Sequence, residues 1–155
     1  MKIIDGKLLD AVSAEARANV RGRKNWNLHP DDGFCCHRLL NAIEPDSYIR
    51  PHLHLDPNKD ETFVILRGRL GVLIFDEAGE VVGKVLLEAG GQTLGVDVPH
   101  GTYHTAVSLA PGTVFFEAKA GPFLPKAPAE QAPWSPLEGS PEAAGYLARL
   151  ARLFV

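Results

Sequence analysis

The chain is poor in the features that would anchor, export or cross-link it. Of its 155 residues only two are cysteines, and Cys35 and Cys36 are adjacent. Neighbours in a strand point to opposite faces, so a disulfide between them would be strained. Two reduced thiols in a cytoplasmic protein are the expectation. No window approaches the roughly 18 uncharged apolar residues of a membrane helix, and the opening MetLysIleIleAspGlyLys lacks the apolar stretch of a signal peptide. Cationic runs are missing too: 16 Lys and Arg stand against 19 Asp and Glu, a net charge of −3, and the densest basic stretch is ArgGlyArgLys at 21–24. A nucleic-acid partner is therefore disfavoured.

What the chain does have is punctuation. Its 15 glycines and 12 prolines suit short strands joined by turns better than a helical bundle, while 45% apolar content supplies a core. Strand-like runs cover 34–42, 48–54, 62–67, 70–75, 81–87, 93–98, 103–108 and 113–119. Eight such runs predict a mainly β barrel or jelly roll over 34–120. Before it, Asp5 can cap a helix with Leu8, Leu9, Val12, Ala16 and Val20 on one face, so 1–33 reads as helix and lead-in. After Gly121, six of the twelve prolines fall within 122–141, which predicts an extended strap docked by Phe123 and Trp134. Ser140 and Pro141 then open a helix with Leu147, Leu150, Leu153 and Phe154 on one side, and 121–155 completes a single domain.

Three of the six histidines carry the chemistry. His52 and His54 stand two apart in TyrIleArgProHisLeuHisLeu, so period-two geometry turns both imidazoles to one face. Glu61 opens the following strand and His104 opens a later one. Three imidazole nitrogens and one carboxylate suit one divalent ion among zinc, iron, manganese, nickel and cobalt, with positions left open for water or substrate. Asp56 and Asp60 are alternative oxygen donors. The same parity turns Tyr48 and Arg50 toward the metal, where an inward arginine calls for an anion. It also turns Phe63, Ile65, Arg67, Thr102, Ala106 and Ser108 inward. Tyr48, Arg50, His29 and Lys59 are the candidate substrate contacts, and no catalytic residue stands out.

These spacings resemble the two motifs of the cupin superfamily. His52, His54, Glu61 and Gly68 match the first, and Pro99, Gly101 and His104 the second. Departures are Asp46, Thr93 and Ser108 at motif ends, and six residues between His54 and Glu61. Stretches at 25–29, 37–42, 50–61, 67–76 and 132–139 are similar to the WbuC family of cupin-fold metalloproteins. That resemblance implies a single-domain cupin barrel, a bacterial source and a link to O-antigen polysaccharide genes, without an established reaction. The expected role is a metal-dependent isomerase or epimerase, hydrolase or oxygenase acting on a carbohydrate derivative, or else a non-catalytic module binding a sugar or small anion. A homodimer fits the way cupin barrels pair.

Overall fold

The computed structural model describes residues 1–155, and its architecture follows from short strands that reverse at glycines. Helix α1 (Gly6–Ala18) starts at Asp5, whose side chain accepts a hydrogen bond from the Leu8 amide. Eight strands follow: β1 (Arg23–Asn27), β2 (Cys36–Ile43), β3 (Glu61–Arg67), β4 (Arg69–Phe75), β5 (Val81–Glu88), β6 (Gly95–Val98), β7 (Tyr103–Ser108) and β8 (Thr113–Ala120). The chain ends with a 3₁₀ turn at Pro128–Glu130 and helix α2 (Pro141–Arg152). One sheet runs β1-β2-β8-β3-β6 and the other β5-β4-β7, every pairing antiparallel. This is the jelly-roll arrangement expected of a cupin barrel.

Between β3 and β4 the reversal turns on Gly68 alone, at φ +77°. A side chain there would run into the Thr113 hydroxyl and lie 2.9 Å from its Cα, so both conformation and space demand glycine. Strand alternation then sorts the apolar residues. Ile43, Phe63, Ile65, Leu70, Val72 and Phe115 fill the barrel. Leu40, Ala42 and Val114 face outward and bury Leu9, Val12 and Ala16 of α1. On the other sheet Leu73 and Phe75 face α2, meeting Ala143, Leu147 and Leu150. Each fully buried Leu or Val contributes about 1.5–3 kcal/mol, so both helices are held by packing.

Three expectations need correction. The first strand is Arg23–Asn27, inside the stretch read as lead-in, and it pairs with β2 from Arg23↔Ile43 to Asn27↔Leu39. With Trp26 its one apolar member, it shows no alternation that periodicity could detect. Residues 48–54 do not form a continuous strand: only a bridge at His52 forms, to His104 on one side and Gln131 on the other. Pro51 has no N–H to extend that ladder. Finally, Phe123 is 55% exposed, so Trp134 alone docks the strap as expected, packing on Phe75 and Tyr103 at ring separations of 5.0 and 5.9 Å. No helix is long and apolar enough to cross a membrane.

Candidate metal centre

His52, His54, Glu61 and His104 converge at one end of the barrel cavity, all buried, with a ligand atom from each lying within 4.8 Å of the others. Glu61 is the first residue of β3, and His104 lies at the start of β7. His52 is locked to His104 by reciprocal backbone bonds of 3.0 and 2.8 Å. The His54 carbonyl accepts from the Gly101 amide at 2.7 Å, which ties the two motif segments together. Asp56 and Asp60 are occupied elsewhere, by Asn58 and His100 respectively, and Glu61 is the carboxylate that reaches the imidazoles.

Glu61 Oε1 lies 2.9 Å from His54 Nε2, and Oε2 lies 2.9 Å from His104 Nε2. His104 Nδ1 faces the Thr102 carbonyl at 2.8 Å, so both of its ring nitrogens face acceptors. A neutral imidazole has one N–H and cannot satisfy both, a mismatch that a cation held by His104 and Glu61 would relieve. Burial, followed by the nearby charges of Lys126 and His104, holds His52 well below the ordinary imidazole range, which keeps it neutral and able to donate a lone pair. For Glu61 burial acts upward, but His104, His54 and Lys119 outweigh it and hold the carboxyl well below its usual range. Buried donors of this type and closeness fit a divalent ion.

A cavity of about 630 Å³ opens from the cluster, a size suited to a small molecule. Phe63, Ile43, Ile49 and Phe115 line its apolar part. The opposing wall is polar: Asn25, Asn27, Asn41, Glu117 and Lys119 lie at alternate positions of β1, β2 and β8. Lys119 Nζ sits 2.6 Å from both Glu61 Oε1 and Glu117 Oε1, and Asn41 Nδ2 donates to Glu117 Oε2 at 2.6 Å. Burial would lower the Lys119 ammonium, but Glu117 and Glu61 raise it above the ordinary lysine range.

Of the four expected substrate contacts, His29 alone lines this cavity. Its Nδ1 meets the Arg38 backbone and its ring stacks on His37 at 4.0 Å. Tyr48 instead donates to the Pro136 carbonyl at 3.0 Å in the core beneath α2. Arg50 donates to Ser135 Oγ at 3.0 Å and the Ala132 carbonyl at 2.8 Å. Parity failed for both because the break at Pro51 uncouples them from the histidine face. Lys59 is spent on the Pro122 carbonyl at 3.0 Å. A bulge between Ile65 and Arg67 likewise turns Arg67 outward to Asp10. Sequence reasoning passed over Glu117, Lys119, Asn41, Asn25, Asn27 and Lys126. The spacing of Glu117 and Lys119 within the apolar run of β8 was a usable signal: two charges two apart share one face.

A family model described as a domain of unknown function, DUF6016, matches residues 4–87. The chain belongs to that family. No curated protein matches this DUF6016 member in sequence. Among solved structures it is similar to KdgF from Halomonas sp., at 18% identity and TM-score 0.52, over 66% of this chain and 83% of that one. It is similar also to TT1209 from Thermus thermophilus, at 20% identity and TM-score 0.54, over 77% and 97%. Oxalate decarboxylase from Lactobacillus farciminis, as a formate complex, matches at 19% identity and TM-score 0.50, over 65% of this chain but 29% of its own. At these identities the likeness concerns the fold: this DUF6016 chain has a cupin fold, and its buried His₃Glu cluster gives it the donor set of a metal-binding cupin.

Proposed function

We propose that the chain is a metal-dependent cupin that holds one divalent ion through His52, His54, Glu61 and His104 and acts on a small polar substrate of carbohydrate type. The observation carrying this reading is the convergence of those four buried side chains at the end of a cavity with a polar wall. When bound, such an ion would polarise a carbonyl or hydroxyl. The remaining roles belong to the chain itself. Asn25 Nδ2 donates to Asn27 Oδ1 at 2.8 Å on the polar wall, and the amide groups left over would meet ligand hydroxyls. Glu117, buried and held between Asn41 and Lys119, is the carboxylate placed to take or return a proton at a substrate oxygen or carbon. Phe63 and Phe115 exclude water from one side.

Glu117 and Lys119 favour an enzyme over a binding module, since recognition alone does not require a buried carboxylate paired with a half-buried ammonium beside the cluster. The resemblance of several stretches to the WbuC family is the ground for extending this reading to bacterial polysaccharide metabolism. Elemental analysis after metal loading tests the site. Wild type is expected to retain about one equivalent, and the His52→Ala, His54→Ala double variant little; equal, negligible retention by both refutes the reading. Incubating loaded protein with sugar nucleotides and sugar acids then separates the classes. Product formation supports the enzyme, whereas binding without conversion across the panel supports the module.

A further inference from the structure

The three imidazoles are not oriented in the same way. His52 and His104 each turn Nδ1 to a carbonyl two residues earlier in the chain, Arg50 at 2.9 Å and Thr102 at 2.8 Å. His54 has no such backbone acceptor. Its Nδ1 faces Glu130 Oε1 at 3.9 Å, and Glu130 lies 76 residues further along the chain, on the 3₁₀ turn of the strap. An imidazole that coordinates through Nε2 carries its proton on Nδ1, and metal-bound histidines are ordinarily oriented by an acceptor there. Closing by about 1 Å brings this pair to hydrogen-bond length.

Glu130 is built into position for that contact. Its Oε1 accepts from the Leu55 amide at 3.1 Å and its Oε2 from the Ala127 amide at 2.8 Å. Its main-chain carbonyl accepts from the Leu53 amide at 2.9 Å. The strap residue therefore grips the amides on both sides of His54. Ala132 extends the pairing by donating to the Pro51 carbonyl at 3.1 Å.

We propose that Glu130 is the positioning residue of His54, an outer carboxylate delivered by the strap, so that metal binding and strap docking stabilise one another. This rests on the metal reading above. By reciprocity, an ion that draws His54 Nδ1–H onto Glu130 also holds the strap closed. Two readouts follow. The first is Co²⁺ affinity with the visible d–d spectrum of the bound ion. The second is tryptic cleavage after Lys126, an exposed strap residue four positions before Glu130.

In wild type Co²⁺ is expected to bind and to slow cleavage after Lys126 several-fold. Glu130→Ala should weaken Co²⁺ binding by about 10–100-fold, alter the d–d bands and abolish the protection. Glu130→Gln keeps an acceptor oxygen without the charge and should recover part of both. Gln131→Ala, whose side chain the argument does not use, should behave as wild type. Thermal unfolding of the apo proteins shows whether each variant folds, and if Glu130→Ala does not, Glu130→Gln decides through its weakened affinity. Failure of wild type to bind Co²⁺ overturns the metal reading. Wild-type affinity, spectrum and protection in the folded Glu130 variants overturn this proposal while leaving the metal reading intact.

Discussion

Replacing Tyr48 with phenylalanine distinguishes a strap anchor from a cavity contact. Tyr48 is 6% exposed, its ring lies edge-on to Tyr146 at 6.0 Å, and its hydroxyl donates to the Pro136 carbonyl at 3.0 Å. The substitution keeps the ring and removes one neutral hydrogen bond, worth about 1 kcal/mol net. For a chain of this length the melting temperature should fall by about 2–4 °C at pH 7. The alkaline limb is more diagnostic. Burial pushes the Tyr48 hydroxyl up from 10 to about 12. An unfolded tyrosine loses its proton above pH 10 and the folded one only near pH 12, so over that interval the folded state binds more protons. Stability fully present below pH 10 is therefore lost as pH rises toward 12, at most about 3 kcal/mol in all. Phenylalanine lacks this loss, so the two stability curves should cross at about pH 11. Urea unfolding midpoints from pH 7 to 12 measure both limbs, with Co²⁺ affinity at pH 7 unchanged. An alkaline slope as steep in Tyr48→Phe as in wild type, or a loss of metal affinity matching His52→Ala, would refute the assignment.

Other outcomes are expected. Gly68→Ala forces a side chain into a left-handed turn against Thr113 and should cost at least about 1–2 kcal/mol in urea unfolding, a neutral result ruling out the steric argument. His37 is 3% exposed, and burial together with the neighbouring His29 lowers its affinity for protons. Its unfolded form takes up a proton near pH 6.5 and its folded form only below that, so apo-protein stability should decline as pH falls through 6.5. The difference between denaturation midpoints at pH 5 and 7 should shrink in His37→Asn, with the remainder carried by groups such as His52; an unchanged difference would locate the acid sensitivity elsewhere. Adding metal at about 100 times its dissociation constant should stabilise the fold by about 2.7 kcal/mol, read as a melting shift reversed by chelator. Equal melting temperatures with and without metal would leave the barrel metal-free.

The clustering of three histidines with Glu61 was legible because two strong local constraints coincide on it. Period-two alternation puts His52 and His54 on one side, and the single-glycine turn at Gly68 fixes where Glu61 enters β3. The α1 face was equally plain, since Leu9, Val12 and Ala16 repeat at helical spacing behind a capping Asp5. What escaped depends on long-range pairing. β1 is polar apart from Trp26 and is a strand because β2 offers it a ladder, a relationship invisible within five residues. Arg50 and Tyr48 were misplaced for a related reason: one proline ends the ladder, and the strap more than eighty residues away supplies the hydrogen bonds that decide where they point.

The polar wall carries a further argument about what the barrel is for. Glu61, Lys119 and Glu117 form a continuous chain of ion pairs, with Lys119 bridging two carboxylates that are 3% and 8% exposed. Desolvating such charges costs several kcal/mol per ion before their attraction offsets it, and apolar residues of similar volume often do as well or better for stability alone. The surrounding positions of β8, Val114 and Phe115, show that this strand accepts apolar packing readily. Stability therefore does not explain Glu117 and Lys119. In the proposed function this charge, kept beside the histidine cluster with Asn41 orienting the carboxylate, would act on the bound substrate. The same reasoning separates the two helices, whose buried faces are apolar but for Ser13 and serve the fold, from the strap, whose Glu130 faces an imidazole.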